Sequence, residues 1–459
     1  MTPRSWRAAA TVALAGGCIL GAAAAWGGGA RWLVVGSIAI VVAGLLPVLV
    51  ANRRLPAPAS PPFPRETAGL PTVTVIVAGR DEAAVLPRLL ADLAAQDHRR
   101  HDGSPMFDVI VVDDRSTDGT SGAARATAQS VGLASSVTII RRQGEGLPDG
   151  KGAALTAAQP EMCRGDVLLV LDADARIGPE FLRRLASHVA HGMPAITARR
   201  RILGAGSSQL AGAQADEQAQ DGELQRGRWS TGGCSEFRGN GIALRRDLLA
   251  SVGGWRAALT EDLDLSSRLA AAHGVRVAWV LDLEVWEEPV RTWRGLWRQR
   301  LRWSEGAIRR LLEHGPAVLT SPRLSLRARL DFAAYGAQLL APPLILGAVG
   351  GALATGEPGM AIALVGTYLG AGGVLAFDAL RWETAPGSPG VKTAERLARA
   401  IRAALFSVIW LGAVPGALWR LATRRGPVRY DKMTHVGDAV DDSSAHTEIA
   451  APAPGVWKR

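Results

Sequence analysis

Cysteine is scarce in this chain of 459 residues, which has three, at positions 18, 163 and 234. They are far apart and form neither a CxxC pair nor a Cys/His group, which argues against a disulfide framework and a zinc site. Tyrosine and phenylalanine are also few, at 3 and 7, whereas tryptophan occurs 14 times. The amphipathic indole ring suits membrane interfaces and the faces of sugars, although ordinary core residues account for part of this number.

Acidic residues are fewer than basic residues, 42 against 52, which leaves a formal net charge of +10. Such an excess suits nucleic acid, anionic lipid or phosphorylated ligands. No aromatic-basic platform or nucleic-acid-binding motif accompanies it, so we expect no nucleic acid partner. The composition, 48% hydrophobic and 20% charged, argues against disorder and predicts that apolar and charged residues occur in separate blocks.

Two apolar stretches of membrane-spanning length, 8–26 and 32–51, open the chain. Arginines flank both outer ends, which predicts a hairpin whose two ends are cytoplasmic. A cleaved signal peptide is the alternative for the first stretch. Further runs at 333–354 and 360–380 are also long enough to span a membrane. The run at 403–422 contains a proline and has arginines on both sides, which favours a re-entrant or tilted segment over a simple crossing.

Between these blocks, short β-branched runs alternate with helical patterns. Near-continuous apolar strands that alternate with helices predict an α/β domain with a mainly parallel, Rossmann-like sheet covered on both faces. Such sheets bind ligands at the carboxyl ends of their strands. The predicted strands are 72–78, 107–114, 136–142 and 166–174, and the predicted helices are 82–95, 119–131, 151–158 and 179–189.

Acidic residues stand at the carboxyl ends of two predicted strands. Asp113 and Asp114 end the second strand, and Asp172 and Asp174 end the fourth. Two carboxylates that leave a sheet together suit Mg²⁺ or Mn²⁺ shared with a diphosphate. Acids at strand ends are also common as turn or N-cap residues, so each pair has a structural alternative.

Two further patterns have both a structural and a functional interpretation. Lys151 lies between two glycines, but Glu145 and Gly152 occupy positions that a Walker A loop gives to glycine and to Ser/Thr. We therefore expect no Walker A loop, only a lysine that meets a phosphate at a helix start. Glu261 and Asp262 begin another helical pattern, where acids also occur without any function.

Two longer segments are predicted to be amphipathic helices. The basic segment 291–310 has the pattern of a helix on a membrane surface. The polar stretch within 193–229 is expected to present a solvated face. Cys234, a few residues later, is expected to be a small buried residue and not a nucleophile.

Four of these patterns follow one another in a fixed order between the membrane blocks: Asp113-Asp114, Asp172-Ala173-Asp174, Thr260-Glu261-Asp262 and Gln299-Arg300-Leu301-Arg302-Trp303. The set resembles the D, DxD, (T)ED and QxxRW signature of membrane-bound glycosyltransferases of family 2. That family includes cellulose, hyaluronan and poly-N-acetylglucosamine synthases and ceramide glucosyltransferases. The resemblance implies a GT-A fold, a nucleotide-sugar donor, most often a UDP-sugar, and a cofactor, Mg²⁺ or Mn²⁺.

The resemblance also implies roles for individual residues. Asp262 would be the general base, Glu261 and Trp303 would contact the acceptor, and Asp172 and Asp174 would hold the metal. The nucleotide sugar would be bound by Asp113, Asp114, Lys151, Asp172, Gln299 and Arg302. A single base without a second nucleophilic carboxylate implies direct displacement and inversion at the anomeric carbon.

Three hypotheses about function remain open. The favoured one is a processive synthase that extends a β-linked polysaccharide, and the alternative is transfer of one sugar to a lipid or lipid-linked acceptor. A transporter or scaffold with an inactive transferase-like domain is the least favoured. Beyond donor, acceptor and membrane lipids, the sequence identifies no partner subunit.

The expected protein is an integral protein of a bacterial-type plasma membrane with a cytoplasmic catalytic domain. Much of its basic excess would then lie on the cytoplasmic face, near anionic lipid and the diphosphate. The predicted organisation is a transmembrane hairpin at 1–54, a Pro-rich linker at 55–70, a GT-A domain at 71–290, a basic interface segment at 291–331, membrane helices at 332–425 and a polar tail at 426–459.

Overall fold

The structure is a computed structural model that describes residues 3–26, 61, 63–64, 67–144, 146–383 and 392–423. The predicted second apolar stretch at 32–51, most of the predicted linker at 55–70 and the predicted tail at 426–459 lie outside the described residues. The chain divides into two compact units. The sheet unit comprises 56–211, 235–289 and 429–459, and the helical unit comprises 1–55, 212–234 and 290–428.

The sheet unit is built on seven strands in the order β3-β2-β1-β4-β6-β5-β7. Strand β1 is parallel to both β2 and β4, and β2 is parallel to β3, whereas β6 runs antiparallel to both β4 and β5. Strand β7 is parallel to β5. The strands are β1 Val73–Gly79, β2 Phe107–Asp114, β3 Val137–Arg142, β4 Val167–Leu171, β5 Ala195–Ile202, β6 Ile242–Arg245 and β7 Ala278–Glu287.

The helices, in chain order, are α1 Pro3–Trp26, α2 Leu86–Ala94, α3 Thr120–Ser130, α4 Lys151–Leu155, α5 Phe181–Ala190, α6 Gln209–Ser230, α7 Arg246–Ser251, α8 Glu261–His273, α9 Trp293–Thr320, α10 Leu326–Ala337, α11 Ala341–Ala354, α12 Pro358–Ala379, α13 Thr393–Phe406 and α14 Val408–Thr423. Strands and helices alternate as far as α5, as the sequence pattern predicts. The central strands β1 and β4 are buried almost throughout, because helices cover both faces of a parallel sheet.

Within the described residues, three helical stretches are long and apolar enough to cross a membrane. They are Leu326–Ala354, Pro358–Ala379 and Thr393–Thr423, with 29, 22 and 31 residues. The predicted runs at 333–354 and 360–380 fall largely within the first two, and the run at 403–422 forms the end of the third. Helix α1 contains a shorter apolar segment, Ala8–Ala23.

Helix α6 is polar along its length, yet most of its charged side chains are buried. Asp216 and Arg226 are completely inaccessible, and Glu223 and Arg228 are 1% exposed. The expectation of a solvated face was therefore wrong. Its residues 212–230 belong to the helical unit, where arginines from other helices neutralise its acids.

Candidate active site

The carboxyl ends of β1, β2 and β4 lie at one edge of the sheet because these three strands are parallel. Strand β6 is antiparallel to β4, so its amino end lies at the same edge, with Ile242 opposite Val170. Asn240, just before β6, accepts a hydrogen bond from the Asp172 backbone N–H at 3.1 Å. This edge therefore brings together Asp114, Asp172 and the loop before β6.

Lys151 begins helix α4 and connects three segments at this edge. Its ammonium lies 2.5 Å from Asp172 Oδ1 and 3.5 Å from Glu261 Oε1. It also donates a hydrogen bond to the Gly239 carbonyl at 2.7 Å. The side chain is only 13% exposed, so this single cation balances two acids in a mostly desolvated place.

The pKa values at this position respond to burial and to these charges. Burial alone would lower the pKa of Lys151, but the nearby Asp172 and Glu261 outweigh it and raise that pKa. Burial raises the pKa of Glu261 to about 7, against the attraction of Lys151. Burial also raises the pKa of Asp262, with Arg238 among the groups that oppose the rise. Raised carboxyl pKa values of this kind are typical of sites that accept or donate protons.

Glu261 and Asp262 occupy the first turn of α8, which follows the N-cap residue Thr260. Acids in a first turn are stabilised by the unpaired backbone N–H groups there. Glu261 is 7% exposed, whereas Asp262 is half-buried. Asp262 is thus the more exposed residue of the two.

Asp172 and Asp174 follow β4, as predicted, and differ in their surroundings. The side chain of Asp172 is 35% exposed, whereas Asp174 is 8% exposed and accepts a hydrogen bond from the Glu288 backbone N–H at 3.1 Å. Two carboxylates on one short loop, one of them accessible, are a donor set that fits a hard divalent cation shared with a diphosphate.

Asp113 and Asp114 are adjacent, but they contact different groups. Asp113 accepts hydrogen bonds from the Ser116 backbone N–H at 2.9 Å and from the Ser121 hydroxyl. Burial works against its charge, yet these hydrogen bonds keep the pKa of Asp113 below its ordinary value. Asp113 therefore fixes the turn between β2 and α3, a structural task in addition to the nucleotide contact that the resemblance implies.

Asp114 lies among three arginines that the sequence patterns did not identify. Arg142 Nη1 is 2.7 Å from Asp114 Oδ1, Arg115 Nε is 3.0 Å from the same oxygen, and Arg80 Nη2 is 3.1 Å from Oδ2. Asp149 contacts Arg80 and Arg115 at 2.9 and 2.7 Å. The parallel register of β2 and β3 places Arg142 opposite Asp114, and this pairing is visible only in the folded sheet.

Two more polar residues support this edge from the other side of β4. Glu287 ends β7 and receives two hydrogen bonds from Arg200 of β5, at 3.0 and 2.6 Å. Asn240, which holds the backbone of Asp172, is completely buried and its amide lies 3.4 Å from Glu287 Oε2. A search for acidic motifs does not find these residues, because their importance depends on the pairing of β5, β6 and β7.

The segment Gln299–Trp303 lies in the first half of helix α9, in the helical unit. The Thr292 hydroxyl caps this helix by accepting a hydrogen bond from the Gly295 backbone N–H at 3.1 Å. Gln299, Arg302 and Trp303 are half-buried there. They belong to a different compact unit from the acids of the sheet edge.

The mixed seven-stranded sheet, with acids at the carboxyl ends of its parallel strands, has the architecture of a GT-A domain. The chain belongs to glycosyltransferase family 2, because the family model described as "Glycosyltransferase like family 2" matches residues 71–306. The predicted fold class and the predicted enzyme class are therefore confirmed.

The most informative relatives are lipid-modifying enzymes by name. The chain is 29% identical to a beta-monoglucosyldiacylglycerol synthase of Synechocystis sp. over 429 residues, which are 91% of this chain and 85% of the relative. It is 28% identical to the enzyme of that name in Nostoc sp., over 80% of this chain and 77% of the relative. These matches therefore support relatives that are glucosyldiacylglycerol synthases, and not the cellulose, hyaluronan and poly-N-acetylglucosamine synthases that the sequence patterns suggested.

A solved structure supports the fold. A mannosyltransferase from Pyrobaculum calidifontis, in complex with GDP-Man and Mn²⁺, aligns with a TM-score of 0.56 and 23% identity. The alignment covers 82% of this chain and 99% of the mannosyltransferase. At this identity the similarity establishes a shared GT-A fold.

Proposed function

We propose that this protein transfers one glucosyl residue from UDP-glucose to the free hydroxyl of diacylglycerol and forms a β-glucosyl lipid. The observation that carries the proposal is the match to a monoglucosyldiacylglycerol synthase over 91% of the chain. A match of that extent includes residues of both the sheet unit and the helical unit. It favours transfer to a lipid over the processive polysaccharide synthesis that the sequence patterns first favoured.

Asp262 is the proposed general base. An alcohol hydroxyl is a poor nucleophile at neutral pH, and a carboxylate within hydrogen-bond reach removes its proton during attack. Asp262 suits this task better than Glu261 because it is the more accessible and Glu261 lies beside Lys151. Attack by the hydroxyl on the anomeric carbon, opposite the departing diphosphate, inverts the configuration there.

The remaining predicted residues bind the donor or the acceptor in this proposal. Negative charge develops on the diphosphate as it leaves, and cationic groups positioned in advance stabilise that charge. Lys151 and Arg302 supply such groups, and Asp113, Asp114 and Gln299 bind the nucleotide sugar. Asp172 and Asp174 would hold Mg²⁺ or Mn²⁺, which supplies further positive charge when bound. Trp303 and Glu261 contact the acceptor.

A lipid acceptor requires access to a bilayer. The three apolar stretches of the helical unit are long enough to provide membrane attachment. We propose that the sheet unit faces the cytoplasm, as the positive-inside pattern of the sequence predicts. The GT-A domain at 71–290 and the membrane helices at 332–425 remain the proposed domain limits.

The proposal predicts that release of UDP depends on diacylglycerol. Purified protein in lipid nanodiscs is given UDP-glucose, with and without diacylglycerol, and free UDP is measured. GDP-mannose and UDP-galactose serve as alternative donors. We expect diacylglycerol to stimulate UDP release from UDP-glucose, with a glucolipid as the product.

Two matched substitutions refine this assay. Asp262→Asn removes the base and is expected to lower transfer by about 10²- to 10⁴-fold while UDP-glucose still binds. Glu161→Gln neutralises an exposed acid outside the predicted site and is expected to leave transfer unchanged. Undiminished transfer in Asp262→Asn would exclude Asp262 as the base, and no response to diacylglycerol would exclude the proposed acceptor.

A further inference from the structure

Arg300 lies inside the Gln299–Trp303 segment at a position to which the resemblance assigns no role. Its side chain is only 1% exposed. Burial of a guanidinium is costly unless the charge is paired and its N–H groups are hydrogen-bonded. The groups that contact Arg300 therefore indicate what this residue does.

An acid from a distant part of the chain anchors Arg300. Glu217 of α6 receives two hydrogen bonds from the guanidinium, one of them from Nε at 3.3 Å. The indole N–H of Trp410, on α14, donates to the same carboxylate at 2.8 Å. Glu217 is thereby held by two helices, and Arg300 binds to a fixed carboxylate.

The rest of the guanidinium contacts its own motif. Nη1 of Arg300 donates a hydrogen bond to the side-chain oxygen of Gln299. The guanidinium carbon lies 4.3 Å from the ring centre of Trp303 and 5.6 Å from that of Trp410. A planar guanidinium can form a forked hydrogen bond and stack on an aromatic ring at once, which a lysine ammonium cannot do.

We infer that Arg300 is a positioning residue that fixes the orientations of Gln299 and Trp303, with Glu217 as its anchor. Gln299 and Trp303 are the groups that the proposed function assigns to donor and acceptor, so this inference rests on that proposal. Arg300 touches neither substrate in this account. Its effect on catalysis passes through the amide of Gln299 and the indole of Trp303.

A neighbouring ion pair shows what a purely structural contact in this unit looks like. Asp216, adjacent to Glu217 on α6, is completely buried and accepts hydrogen bonds from Arg399 at 2.7 Å and Arg402 at 2.8 Å. The two adjacent acids of α6 therefore pair with different arginines, Asp216 with Arg399 and Arg402 and Glu217 with Arg300. Asp216→Asn is therefore a matched control that weakens a buried ion pair of the same helix.

The test compares Arg300→Lys with Asp216→Asn in the full-length protein in nanodiscs. Arg300→Lys keeps the charge but loses the forked bond and the stacking on Trp303. We expect it to raise the KM for diacylglycerol about tenfold through Trp303 and the KM for UDP-glucose about threefold through Gln299. Asp216→Asn is expected to lower the melting temperature without changing either KM. Equal changes of KM in the two variants would overturn the inference.

A spectroscopic measurement separates this inference from the proposed function. Protein labelled with 5-fluorotryptophan is studied by ¹⁹F NMR, and the Trp303 signal is assigned by its loss in Trp303→Phe. We expect the Trp303 signal to shift in Arg300→Lys and to stay in place in Asp216→Asn. This result does not depend on which acceptor is used. An unmoved signal in Arg300→Lys would contradict the inference, whereas a missing glucolipid would contradict only the proposed function.

A second variant covers the case in which Arg300→Lys does not fold. Trp410→Phe keeps the aromatic ring but removes the N–H group that donates to Glu217. It is expected to shift the Trp303 signal in the same direction by a smaller amount and to raise the KM for diacylglycerol about threefold. No change in either quantity would mean that Glu217 does not anchor the motif through Arg300.

Discussion

Lys151 forms ionic contacts with residues that are far away in the sequence. Asp172 follows β4 and Glu261 begins α8, yet both carboxylates lie within 3.5 Å of the same ammonium. A diphosphate that approaches Lys151 therefore competes with these two acids. In the proposed function a divalent cation would bind Asp172 as well, so donor binding would change which charges the Lys151 ammonium balances.

The raised pKa of Glu261 predicts a pH-dependent stability. Its pKa is raised by burial from 4.5 to about 7. Between these values the folded protein keeps a proton that the unfolded chain loses, so the free energy of unfolding falls as the pH rises. Glu261→Gln removes this titration. Over the same pH window the free energy of unfolding of the variant should therefore fall less than that of the wild type, and the difference should reach up to about 3 kcal/mol.

Thermal unfolding in detergent at a series of pH values measures this effect. Glu161→Gln is the control, because Glu161 is exposed and its removal should leave the wild-type slope unchanged. If the stability of Glu261→Gln changed with pH as steeply as that of the wild type, Glu261 would be ionised throughout the window and the prediction would be wrong.

Residue patterns singled out the acids of the candidate site more completely than the cations that lie beside them. Asp172, Asp174, Glu261 and Asp262 stand at strand ends and at a helix start, so local patterns suffice to find them. The arginines around Asp114 depend on the register of β2 with β3 and on the loop after β1, which no local pattern specifies. Cross-strand pairing determines which charges meet, and it becomes known only with the fold.

At the scale of elements, helix α4 explains the glycines around Lys151 without any Walker A loop. A Cβ atom on Gly152 would lie 2.5 Å from the Ala258 carbonyl oxygen and 2.9 Å from that of Arg256. Gly152 is therefore needed for close approach of α4 to the segment before α8. This packing holds Lys151 near Glu261.

The close approach predicts that Gly152→Ala displaces α4. Overpacking against rigid backbone atoms should cost about 1–3 kcal/mol and raise the KM for the donor, since Lys151 moves with the helix. Gly122→Ala in α3 is the matched control, because nothing lies within 4 Å of the added Cβ. It should be neutral or stabilising by about 0.5–1 kcal/mol. Thermal unfolding and donor kinetics check both, and equal behaviour of the two variants would refute the packing argument.

Helix α6 was predicted as a helix, but the prediction that it presents a solvated face was wrong. Its charged residues give it no apolar face, and such a helix is ordinarily solvated. Here its acids are paired with arginines that follow much later in the chain, such as Arg381 with Glu223 at 2.6 Å and Arg399 with Asp216 at 2.7 Å. A single-segment pattern contains no information about such distant partners.

At the scale of the whole molecule, these pairs change the interpretation of the net charge of +10. Several arginines of the C-terminal half pair with buried acids of α6, so part of the basic excess is balanced within the helical unit. The membrane-length stretches and the α/β alternation were predictable from hydropathy, because each depends on one segment at a time. The sequence did not predict that residues 212–234 belong to the helical unit, because this assignment depends on those ion pairs.

The most direct test of the account is the number and linkage of sugars on the product. Protein reconstituted in liposomes that contain diacylglycerol is incubated with radiolabelled UDP-glucose, and the products are analysed at successive times by mass spectrometry and NMR. We predict a diacylglycerol that carries one glucose in β-linkage at every time point. A product that lengthens with time, or an α-linked sugar, would contradict single transfer with inversion to a lipid.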